Sequence, residues 1–351
     1  MVSPTARAWA ELLRGPAALT VPGDIIAGAV TAGGAPPRRI AMAAGASVCL
    51  YWSGMALNDW ADRELDAVER PERPLPSGRI APRAAFGAAA ALTAAGLGLA
   101  AACGRTAATT ATAVAATAWA YNLGLKNTPA GPAAMATARS LNVLLGAATS
   151  GGTPPTALRR SALAAAHTFT LTAVSRHEVG GAPRAVPLAA AAATTAITAA
   201  LMPRREAAVN PRKGGWPPRA PRLGGATAES RTLPRAWPAL APGGSRSAVA
   251  APGRAAAVAS ARRVSRPEGM SLTWPEAVCA AAYAATALPP LVRAVREPTG
   301  GRMRQGVVGG LNAMLPLQAA LVARAGGGLA APALLAALLA AKRLSRKVTP
   351  T

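Results

Sequence analysis

The stretch Asn58-Asp59-Trp60-Ala61-Asp62-Arg63-Glu64-Leu65-Asp66 is the part of the sequence around which the rest of the chain is organised. The whole chain has only four aspartates, and three of them fall in this stretch. On a helix with about 100° between successive residues, Asn58 and the three aspartates share an arc of about 100° on one face. Carboxylates stacked in this way repel one another and destabilise a helix unless a positive charge lies between them.

This aspartate stretch directly follows an apolar run from Ile40 to Leu57, so its carboxylates lie close to a membrane boundary. Ionisable side chains at that depth are costly and are functional by default. Two interpretations are open: a solvated helix end with a charged face, or a site for a hard divalent cation with oxygen ligands. Mg²⁺ suits the second, because it typically takes one or two carboxylates and completes its shell with substrate phosphates.

The composition predicts a multi-pass protein of the cell membrane. Hydrophobic residues make up 51% of the 351 residues and charged residues only 15%, unlike a soluble globular domain. The formal net charge of +24 could indicate a nucleic-acid partner, but the arginines lie in loops between apolar runs and aromatic residues are only 3%. Loop arginines orient membrane proteins and contact anionic headgroups, so we predict membrane lipids and no nucleic acid as partners.

Apolar runs close to spanning length recur along the chain and predict nine or ten membrane helices. They cover approximately residues 16–33, 40–58, 84–102, 106–122, 131–149, 161–175, 185–202, 274–293, 306–323 and 329–341. The runs divide the chain into a first membrane part, residues 1–202, which contains the aspartate stretch, and the last helices in residues 271–351. Residues 203–270 are rich in Pro, Gly, Arg, Ser and Ala without apolar periodicity, which predicts a disordered basic loop.

The basic residues of the short loops predict the orientation. They follow the second, fourth, sixth and eighth apolar runs, on the same side as the N-terminus. The positive-inside rule places that side in the cytoplasm. We therefore expect the aspartate stretch to open to the cytoplasm and residues 203–270 to lie outside.

The aspartates are followed by Arg70-Pro71-Glu72-Arg73-Pro74-Leu75-Pro76-Ser77-Gly78. The combined pattern, N-D-x-x-D-x-x-x-D and then R-P-L-x-S-G, resembles the first aspartate-rich motif of the UbiA superfamily of membrane prenyltransferases. The resemblance implies an all-α fold, with about nine transmembrane helices around a central cavity capped on the cytoplasmic side. It also implies Mg²⁺-dependent transfer of a prenyl group from a prenyl diphosphate to an unknown acceptor, in that family often aromatic.

By this resemblance, Asn58, Asp59, Asp62 and Asp66 would hold the metal and the diphosphate, with the three aspartates as metal ligands and Asn58 on the diphosphate.

The two arginines of the following loop are candidate diphosphate ligands on chemical grounds. Arg70 and Arg73 are placed to make bidentate contacts to phosphate oxygens as the negative charge of the leaving diphosphate develops. The alternative for each arginine is a role in membrane orientation only. The three prolines of the loop exclude a helix and are expected to hold it extended.

The sequence Tyr121-Asn122-Leu123-Gly124-Leu125-Lys126 closes the fourth apolar run. It resembles the tyrosine and lysine signature that follows the fourth helix in the family, in the variant Y-N-x-x-x-K. The resemblance implies that Tyr121 and Lys126 are catalytic residues and that Lys126 contacts the diphosphate. The alternative for Lys126 is a surface lysine at the membrane boundary.

Arg139 and Asn142 interrupt an otherwise apolar run and, three residues apart, share a helical face. An arginine inside a membrane helix points inward to a partner. We expect this partner to be the aspartate stretch, which would place both residues at the diphosphate. The alternative is a structural tie between helices.

The family's second aspartate-rich motif, at the end of the sixth helix, is altered here. The corresponding sequence is Ser175-Arg176-His177-Glu178, with one acid. A second metal site would have to use Glu178, with His177 as a further candidate and Arg176 on the diphosphate. This pattern resembles the divergent EboC-like branch of the superfamily. His167, deeper in the same run, is expected to be a hydrogen-bonded core residue.

Three classes of function remain open on this sequence. The first is the Mg²⁺-dependent prenyltransferase, which we favour because the first motif, Tyr121, Lys126 and the architecture agree. The second is a non-catalytic transport or lipid-binding protein of the same fold, suggested by the altered second motif. The third is an atypical gene product, suggested by residues 203–270.

Overall fold

The computed structural model of the protein describes residues 3–14, 18, 20–203, 274–328 and 330–336. All regular secondary structure within these ranges is helical, as predicted. The α-helices are α1 (Pro4–Leu12), α2 (Val21–Thr31), α3 (Pro37–Ala61), α4 (Arg63–Glu69), α5 (Pro82–Ala102), α6 (Arg105–Leu123), α7 (Gly131–Ala148), α8 (Pro155–Ser175), α9 (Ala185–Leu201), α10 (Trp274–Arg296) and α11 (Gly300–Arg324). A 3₁₀ turn at Leu125–Asn127 follows α6, and residues 330–336 are helical.

The helices coincide with the predicted apolar runs. Nine described helices of 11 to 25 residues, α2, α3 and α5 to α11, match the first nine runs. Four of the described helices are long and apolar enough to cross a membrane: α3, α5, α11 and the Pro275–Arg296 part of α10. The count of about nine spanning helices remains a prediction. The predicted basic loop, apart from residue 203, lies outside the described residues, so its boundaries and its disorder also remain predictions.

Glycines allow α2 and α7 to pack with their backbones in contact. A Cβ atom added at Gly28 would lie 1.9 Å from the Val143 carbonyl oxygen, and one added at Gly146 would lie 2.2 Å from the Ile25 carbonyl oxygen. Small residues of this kind drive close helix association in membranes. The contact joins the middle of α2 to the second half of α7.

α11 is the most enclosed of the four candidate spans, with 83% of its apolar window buried. A buried histidine ties it to two neighbouring helices. His167 of α8 has Nδ1 3.0 Å from the Tyr283 hydroxyl of α10 and Nε2 3.1 Å from the Gly310 carbonyl oxygen of α11. The expectation that His167 is a hydrogen-bonded core residue is confirmed.

The short basic loops meet at one end of the bundle. There, Arg176 donates to the Thr128 carbonyl at 2.6 Å, which joins the end of α8 to the turn after α6. At the opposite end, Arg160 donates to the Thr31 hydroxyl at 2.7 Å and to the Arg324 carbonyl at 2.9 Å, where α2 and α11 finish. The short basic loops thus lie on the side of the bundle opposite to Arg160. The assignment of the side with the basic loops to the cytoplasm remains a prediction.

Candidate functional site

The aspartate stretch lies where α3 gives way to α4. The sequence predicts one helical face, whereas the helix is divided at Asp62. The Asp62 amide still donates to the Asn58 carbonyl at 2.9 Å, and the Asp66 amide donates to the Asp62 carbonyl at 2.8 Å. Because the backbone keeps these helical hydrogen bonds through the break, Asp59 and Asp66 can reach the same partner.

That partner is Arg73. Asp59 and Asp66 are only 5% and 3% exposed. Nη1 of Arg73 lies 2.7 Å from Asp66 Oδ2 and 3.6 Å from Asp59 Oδ1. One guanidinium nitrogen therefore lies between two buried carboxylates and offsets their repulsion. Asn58 lies beside them, with Nδ2 3.5 Å from Asp59 Oδ1.

The second half of the loop that carries Arg73 begins at Leu75 and ends at Ile80, and both of these side chains anchor it. Leu75 and Ile80 are buried in an apolar cluster with residues of α1, α3 and α5. The Ser77 amide and hydroxyl donate to the Arg73 carbonyl at 3.0 and 2.6 Å, and Gly78 adopts the left-handed region at φ 75°. The loop is thus a series of turns, and the predicted extended conformation is wrong. The prolines exclude a helix, but Ser77 and Gly78 supply the turns.

Lys126 holds the third aspartate. Its Nζ lies 2.5 Å from Asp62 Oδ1, and its side chain is only 11% exposed, which excludes the surface-lysine alternative. Tyr121, half-buried near the end of α6, is close enough to Asp62 and Arg176 to interact electrostatically. Within the part of the chain that the structure describes, the Tyr121 hydroxyl has no hydrogen-bond partner. Arg70 is more peripheral: its Nη1 lies 3.9 Å from an Asp66 oxygen and its side chain is 51% exposed.

A further arginine joins the site from the N-terminal segment and was missed by the sequence analysis. Arg14 has Nη2 3.2 Å from Asp59 Oδ1 and Nη1 3.1 Å from the Met55 sulfur. Its φ of 49° lies in the left-handed region, which is uncommon for a residue other than glycine. No spacing marks this arginine, because 45 positions separate it from its partner.

The N-terminal helix α1 is itself tied to the site loop. Arg79 donates to both carboxylate oxygens of Glu11, at 2.7 and 3.1 Å. These hydrogen bonds raise the pKa of the Arg79 guanidinium above its ordinary value. A bidentate pair of this kind fixes orientation. It therefore holds the end of α1 where Arg14 can reach the aspartates.

Arg139 and Asn142 do not contact the aspartate stretch, and the predicted partner is wrong. Arg139 donates to Asp24 Oδ2 at 2.6 Å, and Asn142 Nδ2 donates to the same oxygen at 2.9 Å. The close packing of α2 on α7 makes this pairing possible. The sequence contained the signal, since Asp24 is the one aspartate outside the stretch and lies in an apolar run, where a carboxylate needs a partner.

Glu178 has its own basic partner. Its carboxylate lies 3.8 Å from Nε of Arg304 on α11. Among the described residues, no three His, Cys, Asp or Glu side chains converge as a metal-binding group. The predicted ligand set of Asp59, Asp62, Asp66 and Glu178 is therefore not assembled as one cluster.

The donor chemistry at the aspartates nevertheless fits Mg²⁺. Asp59 and Asp66 are two buried carboxylates that already share one cationic group. Mg²⁺ binds through one or two carboxylates and leaves its other positions to water and phosphate. The residues that would hold the ion are thus Asp59 and Asp66, with Asp62 next to them.

The fold and the site together define a helical membrane protein with paired acidic and basic side chains at one end of its bundle. The model of the UbiA prenyltransferase family matches residues 20–179. A solved structure from a study of digeranylgeranylglyceryl phosphate synthase in membranes aligns with a TM-score of 0.53 over 92% of this chain and 99% of that one, at 14% identity. The apo structure of a UbiA homolog from Aeropyrum pernix K1 aligns with a TM-score of 0.54 over 88% and 97%, at 16% identity.

Sequence similarity to curated relatives covers only part of the chain. The digeranylgeranylglyceryl phosphate synthase of Methanopyrus kandleri is 41% identical over 128 residues, which cover 35% of this chain and 45% of that protein. The match thus spans less than half the length of that curated relative. Residues 20–179 of this chain thus resemble the UbiA prenyltransferase family. Its resemblance to the EboC-like branch remains a prediction.

Proposed function

We propose that this chain is an integral membrane prenyltransferase that transfers an isoprenoid group from a prenyl diphosphate to an acceptor with the help of Mg²⁺. The observation that carries the proposal is the alternation of acids and bases at one end of the bundle. Asp59 and Asp66 share Arg73, and Asp62 pairs with Lys126. Carboxylates suit a divalent cation and basic side chains suit phosphate, so the site has the groups to bind both parts of a metal–diphosphate complex.

The family supports the same reaction class. Its model covers the aspartate stretch, the arginine loop and Lys126. The relative from Methanopyrus kandleri is named for the synthesis of a digeranylgeranylglyceryl phosphate, a product that carries two prenyl chains. The proposal assigns prenyl transfer to the present chain and places the chain in the cell membrane.

The acidic residues would bind the metal. Asp59 and Asp66 would hold Mg²⁺ in the place where they now hold the guanidinium of Arg73. Bound there, Mg²⁺ would neutralise negative charge on the departing diphosphate. Each carboxylate is buried, so the attraction between these charges is weakly screened by solvent.

The basic residues would bind the diphosphate. Arg73 and Lys126, released from their carboxylates, would donate to phosphate oxygens, the first as a planar fork and the second as a point charge. Arg14 and Arg70 add positive charge around the same aspartates. Asn58 can donate through its amide next to Asp59. In this proposal, these donors would stabilise the negative charge that develops on the leaving diphosphate, which lowers the barrier electrostatically.

Tyr121 would act on the reacting groups directly. Its hydroxyl has no partner among the described residues, and it lies within electrostatic range of Asp62. It is therefore available to donate a hydrogen bond to the leaving diphosphate. Arg176 lies near it, with one N–H held by the Thr128 carbonyl. Glu178 has a smaller role in this proposal, because Arg304 offsets its charge.

A binding experiment tests this assignment. The full chain in nanodiscs is titrated with a fluorescent isoprenoid diphosphate, with Mg²⁺ or with EDTA. We expect binding to require Mg²⁺ and to be lost in Asp66→Asn. Glu69→Gln on the same helix α4, where the side chain is exposed, is the matched control and should bind like the parent. Equal binding in EDTA, or equal losses in both variants, would contradict the proposed metal–diphosphate site.

A further inference from the structure

A groove between α10 and α11 lies apart from the aspartate stretch. It has a volume of about 700 Å³, and all the residues that line it belong to these two helices. This volume is within the range of about 300–1,000 Å³ that is typical of ligand sites. The groove runs from Arg293 and Arg304 at one end to Thr286 and Asn312 at the other. We call it the α10–α11 groove.

Glycines of α11 leave the space of the groove open. Gly301 lines the groove, and a Cβ atom added there would meet no atom within 4 Å. A Cβ atom added at Gly309 would lie 2.7 Å from Pro290 Cγ, so the backbone of α11 lies directly against a proline ring. Pro289 and Pro290 are both inside α10, and both line the groove. The groove thus has an apolar wall of proline rings opposite a glycine-containing backbone.

The groove is accessible from the lipid bilayer. α11 and the Pro275–Arg296 part of α10 are two of the described helices that are long and apolar enough to cross a membrane. Val308, which lines the groove, is 51% exposed. Arg304 lies beside Glu178, at the end of the bundle where the short basic loops meet. A lipid can therefore enter the groove from the side, with its headgroup at the level of these loops.

The end of the groove at Arg293 and Arg304 carries more positive than negative charge. Arg293 is exposed, and it makes no ion pair or hydrogen bond with the residues that the structure describes. Arg304 is 67% exposed, and its acidic neighbour among the described residues is Glu178, at 3.8 Å. Two guanidinium groups thus share one carboxylate neighbour, which leaves one positive charge uncompensated. A guanidinium binds phosphate oxygens through two parallel N–H donors.

This charge balance favours a lipid with a single negative charge. The phosphodiester of an anionic phospholipid carries one negative charge, which matches the uncompensated positive charge. A zwitterionic phospholipid also brings an ammonium group, which adds a further positive charge next to two arginines. A prenyl diphosphate brings more negative charge than the two arginines have left to compensate.

The depth of the groove suits part of one acyl chain. The rise from Arg304 to Asn312 along α11 is about 12 Å at 1.5 Å per residue. Val308 lies between them, across from the two prolines of α10. The side-chain amide of Asn312 ends this apolar stretch. The groove therefore accommodates the first part of a chain, and the remainder of the chain extends into the bilayer.

We infer that the α10–α11 groove binds one anionic phospholipid from the leaflet that borders the short basic loops. The phosphate of this lipid lies between Arg293 and Arg304, and one of its acyl chains lies along Pro289, Pro290 and Val308. The inference goes beyond the proposed function and does not depend on it, since it requires only that the chain lies in a membrane.

Native mass spectrometry of the delipidated full chain in detergent tests the charged end of the groove. We expect one molecule of dioleoylphosphatidylglycerol to bind saturably, about fivefold more tightly than dioleoylphosphatidylcholine. Arg293→Gln should raise the Kd of phosphatidylglycerol about fivefold or more, because it removes the arginine that has no other partner. Arg296→Gln is the matched control, since Arg296 is also an exposed arginine in the last turn of α10 but does not line the groove. Its Kd should stay within about twofold of the parent.

A second pair of variants tests the apolar part of the groove. Val308 and Leu311 are similarly exposed on α11, at 51% and 55%, but only Val308 lines the groove. Val308→Trp fills the space of the acyl chain and should raise the Kd of phosphatidylglycerol about fivefold or more. Leu311→Trp should leave the Kd unchanged. Both variants should fold, because neither replaces a buried side chain.

The other outcomes contradict the inference. Equal losses in Arg293→Gln and Arg296→Gln, or in the two tryptophan variants, would show general attraction to this surface and no site. Absence of a saturable one-to-one complex in the parent would also overturn the inference. A dimer of the parent that Val308→Trp dissociates would assign the groove to a second copy of the chain. Tighter binding of geranylgeranyl diphosphate in EDTA, lost in Arg293→Gln, would assign it to a prenyl donor. If one groove variant fails to fold, the other pair decides.

Discussion

Replacement of Arg73 by methionine tests the arrangement at the aspartate stretch most sharply. Methionine keeps much of the length of the side chain and removes its charge. Arg73 is the group that lies between Asp59 and Asp66, at 3.6 and 2.7 Å. Without it, two buried carboxylates face each other with less compensation. We therefore expect Arg73→Met to destabilise the protein and to make its stability depend on Mg²⁺.

The size of the effect follows from burial. Breaking a fully buried ion pair costs about 3–5 kcal/mol. Arg73 is 23% exposed, and Asp59 keeps Arg14 at 3.2 Å, so both solvent and a second cation reduce the loss. We expect about 2–3 kcal/mol in the absence of a divalent cation. Mg²⁺ should recover a large part of it, because it supplies the positive charge that the guanidinium supplied.

Thermal unfolding in detergent, followed by tryptophan fluorescence in EDTA and in Mg²⁺, measures both effects. Arg302→Met is the control, because Arg302 makes a largely exposed pair with Glu297 at 2.8 Å. Surface pairs of this kind contribute about 0–1 kcal/mol, and Mg²⁺ should not alter that value. If Arg73→Met unfolds like the parent in EDTA, the guanidinium does not hold the carboxylates. A loss that Mg²⁺ fails to reduce would refute the shared metal position.

Three further predictions concern the site, the packing and the orientation. Asp62→Asn should abolish Mg²⁺-dependent binding of a fluorescent isoprenoid diphosphate. Glu178→Gln should weaken this binding much less, because Arg304 offsets the charge of Glu178. A larger loss of binding in Glu178→Gln than in Asp62→Asn would place the site elsewhere. Gly146→Ala should lower stability in detergent by about 1–3 kcal/mol or more, because its Cβ would lie 2.2 Å from a carbonyl oxygen, and Gly98→Ala, with open space around it, should not. Ser77→Cys should react with a thiol reagent only from the cytoplasmic side, and labelling from outside would contradict the predicted orientation.

Much of the architecture could be predicted because membrane helices are visible in the sequence as long apolar runs. Apolar runs of near spanning length need no tertiary information, and the helices of the structure coincide with them. The break at Asp62 was harder to predict from the sequence, because the helical hydrogen bonds continue across it. The turns at Ser77 and Gly78 were missed because the prolines dominated the interpretation of that loop.

The candidate site was predictable where its residues are close in sequence and poorly predictable elsewhere. Asp59, Asp66 and Arg73 lie within one short segment, and their pairing follows from charge alone. Arg14 and Asp24 come from the N-terminal segment and from α2, and only tertiary packing brings them to their partners. The glycine contact between α2 and α7 decides that Arg139 meets Asp24 and not the aspartate stretch.

The measurement that tests the proposed activity most directly is turnover of labelled isoprenoid diphosphates of several chain lengths by native membranes that contain the chain and supply the acceptor. The proposal predicts that, with Mg²⁺, diphosphate is released and the label is transferred to an acceptor, and that both stop in EDTA and in membranes that contain the Asp66→Asn variant. Saturable, Mg²⁺-dependent binding of the same compounds with no release of diphosphate at any chain length would contradict it, and would make the chain a binding or transport protein.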